Sequence, residues 1–234
     1  MENYKFIDIH THFTLSIKYI PKKVFGFASK WMFKKRSRFN KFTKFMHNLI
    51  FWSNKDMFDR VAEIVEQSLL TSEQRLLKIL ESCDVATTLV MDFYSMNAGE
   101  PECTFQEQMQ EAIDLKSKYK GRVLIFMMLD PNRPDILKLA RRYYKFVDGW
   151  KYYAPLTGPI NSHKVIDVIL NEMPLPLIMH TTNTTPIYNH KFKKKVANEW
   201  AHPRYAVGLI EKCKNVNFNF AHMGGENWQH EVIT

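Results

Sequence analysis

From residue 72 onward the chain alternates short, largely apolar runs with stretches whose apolar residues recur at helical spacing. The helical stretches are 72–82, 105–119, 134–144, 162–171 and 203–213. In the first, Leu76, Leu77, Ile79 and Leu80 share one side; in the second, Met109, Ala112, Ile113 and Leu115 do so. Pro134 suits a first helical turn. The apolar runs are 85–93, 122–129, 146–153, 175–180 and 216–221, and Asp130-Pro131 closes the second of them. Adding 5–10 near the N-terminus gives six expected strands. Strands without polar alternation, joined by helices, imply parallel βαβ units with both sheet faces covered. A doubly wound sheet and a (β/α)8 barrel both fit that alternation. At 234 residues the chain suits one domain, 1–234.

Several runs end in polar or metal-binding residues. The first closes on Asp8-Ile9-His10-Thr11-His12, the fourth on Gly149-Trp150-Lys151, the fifth on Met179-His180 and the sixth on Ala221-His222. In a TIM barrel all strand C-termini open on one face, where active sites are built. Residues i and i+2 of a strand point the same way, so His10 and His12 can converge on one ion. Neutral imidazole suits a borderline cation such as Zn2+, and His180 and His222 could complete the site. An isolated His-x-His is usually coincidence; histidines at three strand tips are harder to dismiss. His47, His163, His190, His202 and His230 fall in expected loops, helix starts or the tail and read as surface or capping residues.

FIDIHTHF resembles the opening strand of the amidohydrolase superfamily. Together with GWKYYAP, LIMHTT and HPRYAVGLIEKCKNVNFNFAHMGG, it is similar to that superfamily's second amidohydrolase group. The resemblance spans about residues 5–225 and implies a TIM-type (β/α)8 barrel of which about six strands lie in this chain. It implies that His10, His12 and His180 are metal ligands. His222 would be either a ligand or the catalytic acid/base. Lys151, after the fourth strand, would bridge two ions in carboxylated form or stand apart from a single one. The implied cofactor is a divalent metal, Zn2+ first, as one or two ions. The implied activity is a metal-dependent hydrolase in which metal-activated water attacks an amide, ester or lactone carbon. A decarboxylase of the same fold, or an inactive barrel remnant with a binding role, is the alternative. Tyr152 and Arg204 are candidate substrate contacts.

The family pattern also has an Asp ending an eighth strand, whereas no Asp follows Asp167 here. The expectation is therefore a C-terminally incomplete barrel, the N-terminal portion of a longer protein.

Charge adds one further feature. Eleven Lys and Arg fall between residues 16 and 55, without an Asp or Glu. Of 33 basic and 24 acidic residues overall, that leaves 22 against 24 elsewhere. The basic stretch lies in an aromatic segment, 16–58, with Phe39, Phe42, Phe45, Met46, Leu49 and Ile50 as a helical stripe. As an insertion after the first strand it reads as a helical lid whose basic face draws a small, anionic substrate. Peripheral membrane contact through 16–58 is the second reading; nucleic acid is a weaker one, and self-association into a homo-oligomer is left open. Cys83, Cys103 and Cys213 are too few and too far apart for a disulfide framework. With no signal-peptide pattern at the N-terminus, the expected location is cytoplasmic.

Overall fold

The computed structural model describes residues 6–15, 17–19, 21, 70–183, 185, 189–225 and 228–233. Apart from 17–19 and 21, the expected 16–58 insertion and its lid, membrane and nucleic-acid readings lie outside them.

Six strands form one sheet in chain order, every neighbouring pair parallel. They are β1 (Ile7–Thr11), β2 (Val85–Val90), β3 (Val123–Met128), β4 (Gly149–Tyr152), β5 (Leu177–His180) and β6 (Phe218–Ala221). The helices are α1 (Ser72–Ile79), α2 (Phe105–Lys118), α3 (Ile136–Tyr143), α4 (Ala154–Thr157) and α5 (Lys164–Glu172). After β5 follow α6 (Lys194–Glu199), α7 (Val207–Lys212) and, after β6, α8 (Gln229–Ile233). The alternation read from sequence is thus present. Strands are shorter than the apolar runs, and α4, α6 and α8 are additional.

Local chemistry sets the boundaries. Thr71 and Thr104 cap α1 and α2 in reciprocal boxes with Gln74 and Glu107, satisfying backbone donors that a helix start leaves open. Before β4, the Asp148 carboxylate accepts from the Ile125 amide (2.8 Å) and Lys116 Nζ (2.6 Å). Pairing of the strand itself therefore begins at Gly149, opposite Phe126.

Alternation along the strands divides two cores. Trp150, Tyr152, Leu177, Met179, Ile125 and Met127 pack outward with residues of the helices. Leu89, Phe126, Ile178 and Ala221 meet on the other face as a small inner layer. Gly149 is required there, because a Cβ would stand 2.1–2.6 Å from the Phe126 ring.

The sheet is curled into a half-barrel. Six flat strands at about 4.8 Å spacing would set β1 and β6 about 24 Å apart. Instead the rings of His10, on β1, and His222, just after β6, are 5.0 Å apart between centroids. Among the described residues no helix is long and apolar enough to cross a membrane.

Candidate metal centre

Four imidazoles and one amine gather where the curled strands end. The rings of His10 and His12 are 5.6 Å apart, His10 and His222 5.0 Å, and His180 and His222 4.9 Å. Lys151 acts electrostatically on all four. The five residues proposed from sequence as metal ligands are therefore brought together.

Backbone irregularities aim two of them. The β1–β2 register shifts between Asp8 and Thr11, placing a bulge at the first histidine; such bulges re-aim side chains beside sites. His222 was expected at the tip of β6, but it opens a 3-10 turn, 222–224, in which His222 (φ 66°) and Met223 (φ 46°) are left-handed. Non-glycine residues adopt that region at a cost that surrounding structure must hold in place.

His12 is oriented by its Nδ1, which donates to the Leu89 carbonyl at 3.2 Å and leaves Nε2 with its lone pair. His180 is 7% exposed, and its Nε2 has no hydrogen-bond partner. Tyr153 stacks on it at 4.4 Å and bonds Thr185 through its hydroxyl. Lys151 is fully buried, and its Nζ likewise has no partner.

Burial and mutual proximity disfavour the charged form of each of these groups. Desolvation lowers Lys151 to about 7. Desolvation, then the Lys151 charge, lowers His10 to about 3, His12 to about 4 and His180 to about 2, and holds His222 below its ordinary value. No described carboxylate acts on any of the four histidines.

Among the described residues, no three His, Cys, Asp or Glu side chains are drawn close enough to hold an ion as they stand. The residues nevertheless suit one. Imidazoles sharing a tetrahedral Zn2+ at about 2.1 Å have centroids about 5 Å apart, close to the spacings here. Ring rotation moves a nitrogen by about 2 Å around a nearly fixed centroid, a smaller adjustment than assembling the cluster. Ligand nitrogens must also be deprotonated, as these are.

Other assignments from sequence fare differently. Tyr152 is fully buried on the outer, helix-facing side, and its hydroxyl donates to the Gly158 carbonyl at 2.9 Å. It is not brought to the cluster, because strand parity sends residues 151 and 153 one way and 152 the other. Arg204 is the one exposed residue of a 3-10 turn, 203–206, its guanidinium over the Tyr205 ring at 5.0 Å and 4.0 Å from Glu199. The structure does not gather it with the histidines either. His202 caps that turn, accepting from the Arg204 amide at 3.2 Å, but is buried rather than superficial. Tyr153 was missed, although the same parity points to it.

Two cavities adjoin the region. One of about 480 Å³ lies between the edge strands, lined by Ile9, His10, Ile178, Phe220, His222 and Met223 among others. The larger, about 890 Å³, opens among the loops after β2, β3 and β4 beside the Asp92–Arg133 pair, and none of the five clustered residues lines it. The first is the one that two of the clustered residues, His10 and His222, line.

Compared with known proteins, the chain matches no protein-family model, no functionally curated protein and no solved structure.

Proposed function

We propose that this chain forms part of a TIM-type barrel of the amidohydrolase kind and serves a metal-dependent hydrolase. The observation that carries the reading is Lys151. Its amine is fully buried at the end of a central strand, has no hydrogen-bond partner and is faced by four histidines. A polar group so placed costs stability unless something else satisfies it. Buried groups with shifted protonation, gathered at strand C-termini, are the usual mark of a working site.

In this reading His10, His12 and His180 would hold a divalent cation. A second, if bound, would take Lys151 as the carbamate that its neutral amine forms with carbon dioxide on loss of a proton, together with His180 on β5 and His222 after β6. The bound cation supplies Lewis-acid polarisation of a carbonyl and a lowered pKa for water. The chain's own groups do the rest. The Leu89 carbonyl fixes the His12 tautomer so that Nε2 faces the site. Tyr153 covers one face of His180 and keeps water from it. His222, neutral near pH 7, accepts a proton at a ring nitrogen and returns it to the leaving group, a role worth typically 10²- to 10⁴-fold.

Metal analysis of the full chain after dialysis against Zn2+, with turnover of amide, ester and lactone panels, tests this. Two equivalents support the carboxylated-lysine arrangement, and one supports a mononuclear site, as a decarboxylase of this fold would have. A folded sample that retains no metal, with or without bicarbonate, overturns the proposal.

A further inference from the structure

Between β5 and α6 the chain presents a surface that the metal centre does not use. Seven consecutive residues, 190–196, are exposed. Four are lysines, Lys191, Lys193, Lys194 and Lys195, and with them stand Phe192 at 47% exposure and Val196 at 43%. No Asp or Glu occurs between Glu172 and Glu199, and none of these ammonium groups has an ion-pair partner among the described residues.

Fold stability does not account for this arrangement. Lys193 is the N-cap of α6, and Lys194 and Lys195 fill its first turn, with no acidic residue there and no side-chain cap. Cations at a helix N-terminus oppose the helix dipole. Four like charges within five residues also repel one another. Phe192 does not fold back into the core, because Trp200 holds its ring edge-to-face at 4.8 Å and 76°. The stretch therefore carries unneutralised positive charge, with two partly exposed apolar side chains among it, of which Phe192 also lines the rim of the larger cavity with Trp200.

We propose that residues 190–196 form a docking surface for a bilayer containing anionic phospholipid. The lysines lie against the headgroups, and Phe192 and Val196 enter the interfacial region. Charge complementarity provides the attraction, and the exposed aliphatic side chain of Val196 favours a bilayer over nucleic acid, whose phosphate backbone gives aliphatic carbon nothing to pack on. The inference is independent of the metal centre.

The test is co-sedimentation of the full chain with vesicles of phosphatidylcholine containing about 30 mol% phosphatidylserine, against pure phosphatidylcholine. At moderate salt, partitioning is expected only onto the mixed vesicles. Each lysine near such a surface is worth about 5-fold, so K193Q/K194Q/K195Q should weaken binding about 100-fold with unchanged far-UV CD. F192S should weaken it by at least about 5-fold while the salt dependence remains. Binding of the triple variant within twofold of the parent overturns the proposal, since the affinity would then reside elsewhere in the chain. Equal binding to both vesicle types overturns it as well. So does a chain that ignores vesicles yet loses affinity for a single-stranded RNA oligonucleotide on the same substitution.

Discussion

Replacing Lys151 with methionine should stabilise the metal-free protein, and by an amount that depends on pH in a defined sense. Methionine fills a similar volume without the amine. Burial lowers the Lys151 amine from its ordinary 10.5 to about 7 in the folded chain. Below pH 7 both states carry the proton, and the folded state bears the whole penalty, about 3.5 pH units or about 5 kcal/mol as an upper figure. Between pH 7 and 10.5 the unfolded chain binds more protons than the folded one. Stability of the parent therefore rises with pH across that window, by up to about 1.4 kcal/mol per unit. By pH 9 the penalty is about 2 kcal/mol, plus about 1–3 kcal/mol for a neutral amine left without a partner. Urea unfolding followed by tryptophan fluorescence, in chelator at pH 6, 7, 8 and 9, measures the difference. K151M should exceed the parent by several kcal/mol at pH 6 and by less at pH 9. Added Zn2+ should reverse the order, because a ligand bound only to the folded state stabilises the parent by mass action. A K151M protein that is less stable than the parent at pH 6, with native-like CD, would refute the argument that the amine is buried uncompensated.

The histidine cluster makes the opposite edge of the pH profile steep: His10, His12 and His180 lie well below 6.5 when folded. The unfolded state binds more protons from 6.5 down to those values, so each histidine should remove about 1.4 kcal/mol per pH unit as pH falls, and H180F should flatten the slope measured by urea titration. Gly149→Ala forces a methyl into the Phe126 ring, with contacts of 2.1–2.6 Å, and should lose about 1–3 kcal/mol; G149A/F126A should cost less than the sum of the single changes. Arg133→Ala leaves Asp92, 2% exposed and bound to the guanidinium at 2.6 and 2.9 Å, as an unpaired buried charge. A loss of about 3–5 kcal/mol is expected in chemical denaturation, and less in R133M/D92L.

Those perturbations also mark which parts of the molecule the sequence encodes locally. The βα alternation was legible because short, largely apolar runs recur between stretches of helical spacing, a pattern that parallel strands covered on both faces account for. Each strand-tip residue was legible for a related reason: the first polar residue after such a run lies where the sheet leaves its core. Strand ends were less so. Phe146 and Val147 continue the apolar run, yet the register with β3 begins only at Gly149, after Asp148 has bound the neighbouring strand's Ile125 through both its carboxylate and its amide. The inner layer includes a contact 23 residues apart in sequence, Phe126 seated over Gly149, which neither residue announces alone. The turn at 222–224 was illegible as well. Gly224 and Gly225 signal a turn there, but the left-handed positions extend back to His222 and Met223, residues with no such preference. Tyr152 and Tyr153 show an error of another kind. The parity that united His10 with His12 applied equally to Lys151 and Tyr153, so the second tyrosine was the one within reach of the site.

The cluster differs from an ordinary feature of a stable core. Perturbed ionisation also occurs in structural ion-pair networks, and the Asp92–Arg133 pair is one. Such networks bring opposite charges together and saturate their hydrogen bonds. At the strand tips five bases of the same sign capacity are gathered, no described carboxylate acts on the histidines, and two buried nitrogens have no partner. The outer core one residue away shows the alternative, with Trp150 giving its Nε1 hydrogen to the Met173 carbonyl at 3.0 Å and Tyr152 satisfied by Gly158. The same strand thus satisfies every polar atom on its outward face and leaves one open on its inward face. Local departures from otherwise consistent packing are where function is expected to reside. An apolar residue at 151 would fill the space at lower cost, so the amine is better explained by what it can join than by what it stabilises.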